Sequence, residues 1–252
     1  MLENDFQLRL VNAQFLKQLL GRKSDVKDAE WIATVLLKGL VRDNFVPDGN
    51  IQSLRQYGRR INEINEDLVH CQQRIDMILQ RCNIRLSNYV SDVASKSYRK
   101  VVDALIKGET SSYELVKLIH RRTINSHGQS TIREALEGDV KQSDRDLLRQ
   151  YTQMLDLYQL QKQQCVDSMI RKCRKLYSKT FSILLGIRGI KELSAAIIIS
   201  EIGDNMKLFA TAAALVSWAG LRPRNDESAG KIKSRKITHE NKYLRKTLME
   251  CA

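Results

Sequence analysis

The stretch 53–82, SLRQYGRRINEINEDLVHCQQRIDMILQRC, decides the fold. Within it Leu54, Tyr57, Ile61, Ile64, Leu68, Cys71, Ile75, Ile78 and Cys82 follow one another in steps of three and four. Such steps keep side chains on one side of a helix, so the pattern reads as an apolar a/d seam about four heptads long. A second, less regular seam runs through Leu148, Tyr151, Leu155, Tyr158, Cys165, Met169, Cys173 and Leu176. Two long amphipathic helices separated by about 60 residues suggest an antiparallel helical hairpin. It reads either as the core of a helical bundle or as a coiled-coil arm that dimerises. Spacing does not separate the two, and the arm is the reading preferred here.

The rest of the chain fits a mostly α protein. Only 2 prolines and 12 glycines interrupt 252 residues, and aromatic content is 6%, too low for an all-β sandwich. Near the start, Leu8 to Val11 reads as a strand. Ser24 then caps a helix beginning near Asp25, with Ala29, Ile32, Leu36 and Leu40 on one face. Pro47, Asp48 and Gly49 close that segment as a turn. Between the seams, 87–140 reads as shorter helices split by Gly108, Gly128 and Gly138. From Phe181 the chain turns apolar and glycine-punctuated, SILLGIRGIKELSAAIIISEIGD, as a compact helical domain. The basic segment RPRNDESAGKIKSRKITHENKYLRK follows. Three domains are expected, at 1–48, 49–180 and 181–252.

The charge points to a partner. With 42 Lys and Arg against 29 Asp and Glu, the net charge is +13 and the pI about 9.6. A protein this basic usually binds a polyanion, and nucleic acid is the commonest. The plain alternative is charge that serves solubility. The five cysteines are odd in number and form no C-x-x-C pair, so they read as reduced thiols rather than disulfides or a zinc site. No apolar run reaches the length of a membrane span. The opening MLENDFQL resembles neither a secretory nor a transit peptide.

Three constellations could carry chemistry. Leu185-Gly-Ile-Arg-Gly-Ile190, followed by Ala195 and Ala196, has the form of a helix-hairpin-helix turn. Gly186 and Gly189 would allow a tight turn whose N–H groups, with the next helix start, hold a phosphate oxygen beside Arg188 and Lys191. A simple packing corner between two helices is the alternative. Residues 168–191 hold seven basic residues and no acid. Residues 221–246 carry nine Lys or Arg against three acids, including Arg222, Arg224, Lys231, Lys233, Arg235 and Lys236. Among these cations lies Ser228, which small neighbours leave open to a phosphodiester. A turn serine is the commoner meaning of such a residue. Ser234 is the substitute nucleophile, and His239 reads as a surface residue. Finally, Asp25 and Asp28 stand three apart at a helix start, where two carboxylates can share a divalent metal or simply favour the helix dipole.

Read together, these stretches resemble the IS-one-ten family of insertion-sequence transposases. LVNAQFLKQLLGRKSDVKDAEW is similar to the end of its RuvC-like, ribonuclease-H-like domain. LSNYVSDVASKSYRKVVDALIKGE resembles the helical middle. LLGIRGIKELSAAIIISEIGD, LVSWAGLRPRNDESAGK and NKYLRK resemble the C-terminal transposase domain. The resemblance implies a DNA recombinase that holds Mg²⁺ with an Asp-Glu-Asp-Asp set, of which Asp25 and Asp28 match the last two members. It implies a serine nucleophile, matched by Ser228. It also implies DNA and a guide RNA as partners, a homo-oligomer (dimer or tetramer), and a prokaryotic cytoplasm. The family's first Asp and its Glu have no match here, and the family pattern runs past NKYLRK, so a chain truncated at both ends is expected. The alternatives are a non-catalytic nucleic-acid-binding remnant that dimerises by its coiled coil, and a structural coiled-coil protein with incidental charge. The expected outcome for the purified 252-residue chain is no Mg²⁺-dependent strand transfer; transfer would contradict the truncated reading.

Overall fold

The computed structural model describes residues 11, 25–40, 47–222, 226–228, 231–234 and 241–252, with backbone alone for 25–28, 226–228 and 231–234. The chain divides into two compact units, Met1–Gln52 and Ser53–Ala252.

In the first unit the helix α1 spans Asp25–Leu37. Among its described side chains Val35 is buried, while Ile32, Leu36 and Leu40 are exposed and Ala29 is too. The face expected from spacing is therefore not the covered one. Short apolar helices offer more than one such set of positions, and here the choice falls on the neighbouring face. Leu8 to Leu10 and Ser24 lie outside the described residues. The Pro47–Gly49 turn has a clear function: the Asp48 carboxylate accepts from the N–H groups of Asn50 (2.8 Å) and Ile51 (3.0 Å). It thereby satisfies the first donors of the next helix.

That helix, α2, spans Gly49–Arg81, and α7 spans Gln142–Leu176. In the second unit they run antiparallel. Arg60 donates to Gln161, Arg74 to the Tyr151 hydroxyl and Arg81 to Asp144, so positions rise along one helix as they fall along the other. Both seams turn inward. Leu54, Ile61, Ile64, Cys71, Ile75, Ile78 and Cys82 are buried, as are Leu148, Leu155, Met169 and Cys173. Leu176 breaks the pattern and is exposed, whereas Tyr177 is buried, because α7 ends at Leu176 and the chain turns there. All five thiols are free, and burial pushes Cys173 up to about 12.

Shorter helices fill one end of this pair: α3 (Lys96–Ile106), α4 (Ser112–Val116), α5 (Arg121–His127) and α6 (Gln129–Ala135). Tyr98, Val101, Val102, Leu105, Leu115 and Ile132 close one core with Leu79 and Leu148. Gly108 and Gly128 both have positive φ, a backbone conformation that glycine adopts without penalty. Gly138 serves packing instead, since a Cβ there would lie 2.2 Å from the Cys82 carbonyl oxygen.

At the other end sit α8 (Ser178–Leu185), α9 (Glu192–Ile202), α10 (Ala212–Trp218) and α11 (Lys242–Cys251). Ile198, Ala219 and Leu244 form a second small core, with Leu184, Ile190, Trp218 and Leu248 against it. A two-stranded antiparallel hairpin, β1 (Asp226–Ser228) and β2 (Lys231–Ser234), interrupts the helices between α10 and α11. No helix among the described residues is long and apolar enough to cross a membrane.

Truncating a buried leucine loses transfer energy and leaves a cavity. Leu148→Ala is expected to lower stability in urea by about 2–5 kcal/mol, and Leu157→Ala, at a position 51% exposed, by under about 0.5 kcal/mol. Equal losses would contradict the packing described.

Candidate functional site

The turn from α8 to α9 presents Gly186, Ile187, Arg188, Gly189 and Lys191 at the surface. Its two glycines differ. Gly186 keeps helical angles (φ −70°, ψ −14°), and its N–H donates back to the carbonyls of Ser182 and Ile183. It is the last residue of a helix end rather than a free donor, which corrects the expectation of an open N–H there. Gly189 has φ +93°, and a Cβ on it would stand 2.2 Å from the Cys251 carbonyl oxygen. Only glycine fits both demands. Lys191 stands at the N-cap of α9 and no side chain caps that end. An uncapped helix start beside exposed Arg188 and Lys191 offers N–H groups and positive charge together. The acid of this first turn, Glu192, is paired with Arg174 of α7.

The far end of α9 carries the tightest polar cluster of this end. Glu201 is 2% exposed. Arg59 of α2 grips both its carboxylate oxygens, and Arg55 stands 3.9 Å away. Arg55 also donates to the carbonyls of Ser200 (2.9 Å) and Glu201 (2.7 Å). Asn241 donates to the same carboxylate at 2.7 Å, while its own oxygen accepts from Leu244 N–H and caps α11. The Arg59 guanidinium lies 3.4 Å from the centre of the Tyr243 ring. Burial holds the Arg55 guanidinium below its ordinary value, with Glu201 opposing that fall. α9 and α11 are thus antiparallel, joined at one end through Glu201 and Asn241 and at the other through Gly189 and Cys251.

Between α10 and Asn241 lies the hairpin. Its register sets Ser228 directly opposite Lys231 and Glu227 opposite Ile232, with an irregularity after Asp226. Lys233 follows two residues on in β2. Arg222 is exposed. Arg224, Arg235, Lys236 and His239 lie outside the described residues.

Residues 181–252 match the family described as Transposase IS116/IS110/IS902. Residues 1–84 match a second family described as Transposase, the DEDD type of IS110. The chain belongs to the IS116/IS110/IS902 transposases. No curated protein and no solved structure matches it.

The two matches to this transposase cover both sets of candidate residues: the turn, Glu201 and the hairpin in one, Asp25, Asp28, Arg55 and Arg59 in the other. A DEDD domain carries dependence on a divalent metal. Asp25 and Asp28 sit in the opening turns of α1, hard oxygen donors of the kind such an ion takes. Among the described residues no three His, Cys, Asp or Glu groups are placed to share an ion.

Sequence reasoning missed Glu201, Arg55, Arg59 and Asn241. Removing one partner of a buried ion pair leaves the other charge uncompensated. Arg59→Ala is expected to destabilise the transposase by about 3–5 kcal/mol in chemical denaturation, and Arg60→Ala, at the next position on the exposed side, by under about 1 kcal/mol. Similar losses for both would remove Glu201 from the centre of this account.

Proposed function

We propose that this transposase cuts and rejoins DNA through Ser228, with Mg²⁺ as its divalent ion. The observation that carries this reading is the hairpin register, which puts Ser228 opposite Lys231. Directly opposed residues of an antiparallel pair have Cα atoms roughly 5 Å apart. Lysine at the paired position is of the residue type whose positive charge would favour the negative charge that develops on phosphoryl oxygens when a hydroxyl attacks. The serine oxygen would bond to phosphorus as a deoxyribose oxygen leaves and takes up a proton. Attack on that ester by a strand hydroxyl would reverse the step and free the serine.

The other parts follow from the same layout. The α8–α9 turn acts as a helix-hairpin-helix element, with Arg188 and Lys191 on the DNA backbone and α9 pointing its N-terminus at a phosphate. Arg222, Lys233 and the neighbouring cations Arg224, Arg235 and Lys236 steady further phosphates. Asp25 and Asp28 would hold Mg²⁺ as two carboxylates of the Asp-Glu-Asp-Asp set that the family resemblance implies. The α2–α7 pair would form a coiled-coil arm that meets a second copy through its outer face, since both seams are buried within the chain, and a guide RNA is the further partner that the family resemblance implies.

The test uses a full-length relative that carries the same hairpin. Ser228→Ala should abolish the covalent protein–DNA adduct while leaving DNA binding within about twofold, a difference under 0.5 kcal/mol. An adduct that persists moves the nucleophile elsewhere, with Ser234 next to be replaced. Binding without any adduct in the unmutated protein favours the non-catalytic reading.

A further inference from the structure

Away from the transposase C-terminal end, α2, α3 and α7 enclose a cleft of about 480 Å³. Ligand-sized sites run from roughly 300 to 1,000 Å³ and combine apolar walls with few convergent polar groups. The floor here is apolar: Ile75, Tyr98, Val102 and Leu155, each under 8% exposed. The walls are fixed by polar contacts that are already complete. Arg99 grips both oxygens of Asp156 at 2.8 and 2.9 Å and reaches Asp103 at 2.9 Å. The Tyr98 hydroxyl donates to Asp76 at 2.7 Å. Arg99, Asp156, Asp103 and Asp76 are therefore occupied.

Two cations remain. Lys96 and Lys100 line the same cleft, one turn apart at the start of α3, and both are exposed. Neither has an ion-pair partner among the described residues. The positive end of α3 adds to their field. An apolar floor below and two free ammonium groups at the rim ask for a ligand with both characters.

We propose that this cleft binds a small amphipathic organic anion, one phosphate or carboxylate group on an aryl or alkyl body. The anionic group would meet Lys96 and Lys100, and the body would cover Val102 and Leu155. This site is separate from the Ser228 reading and does not rest on it. Because the ligand would touch three helices at once, it would brace the α2–α7 frame against α3 and raise the melting temperature.

Two probes separate the chemical sources: decanoate for an alkyl carboxylate and phenyl phosphate for an aryl phosphate. Calorimetric titration of the whole 252-residue chain should give saturable one-to-one binding for at least one of them, with a matching rise in Tm. Lys96→Ala combined with Lys100→Ala should weaken that binding at least about tenfold, or 1.4 kcal/mol. Ala94→Trp, at an exposed lining position, should block it while circular dichroism stays that of the parent. Binding of decanoate alone assigns the alkyl class, and binding of phenyl phosphate alone assigns the aryl class. Saturation by neither probe, binding of inorganic phosphate with equal affinity, or affinity unchanged in both variants would overturn the proposal.

Discussion

A carboxylate out of reach of water joins the two ends of the chemistry to the frame. Glu201 sits at the close of α9, yet its partners come from residues 142 positions earlier and 40 positions later. Taking a carboxylate from water is costly, and only a matched set of donors offsets it. Arg59 supplies two, and Asn241 one. Arg55 adds a second cation and spends its remaining hydrogen bonds on the carbonyls that end α9, where the helix dipole is negative. An apolar replacement could match the energy of such a cluster, but it would not fix which residue of α2 faces which residue of α9 and α11. The cluster sets that register.

The consequence for function lies in where the cluster is attached. Asn241 is at once a ligand of Glu201 and the cap of α11, so the segment that carries the hairpin is pinned where it ends. The opposite end of the α9–α11 pair is closed by Gly189 against the Cys251 carbonyl, and there the basic turn is presented. An 11-residue helix spans roughly 16 Å at 1.5 Å per residue. The α8–α9 turn and the anchor of the Ser228 segment are therefore held apart by a rigid rod. A nucleic acid that met both would be touched at two separate places on its backbone.

Much of the frame was legible in the spacing of apolar residues. Steps of three and four named residues that are now buried along α2 and α7, because a long helix accumulates enough positions to make its face unambiguous. Short α1 did not, and its covered residue is Val35. The hairpin was missed although its signal is present: Lys231-Ile-Lys-Ser234 alternates, and Ala229-Gly230 is a two-residue connection with glycine second. Glu201 was hidden differently. It ends the apolar run AAIIIS as a lone acid, and nothing local announces that two arginines of α2 stand over it. The glycine pair of the turn was read as one feature, whereas only Gly189 has the positive φ and the close carbonyl that demand it. The transposase family was legible for another reason, since several long motifs fall in one order along the chain.

The most direct test of the catalytic account is to map the covalent bond itself. A full-length relative would be trapped on a nicked DNA substrate, digested, and its nucleotide-bearing peptide sequenced by mass spectrometry. The nucleotide is expected on the serine of the β1 strand, Ser228 in this chain. A nucleotide on any other side chain, or cleavage that proceeds with no attached nucleotide at all, would contradict it.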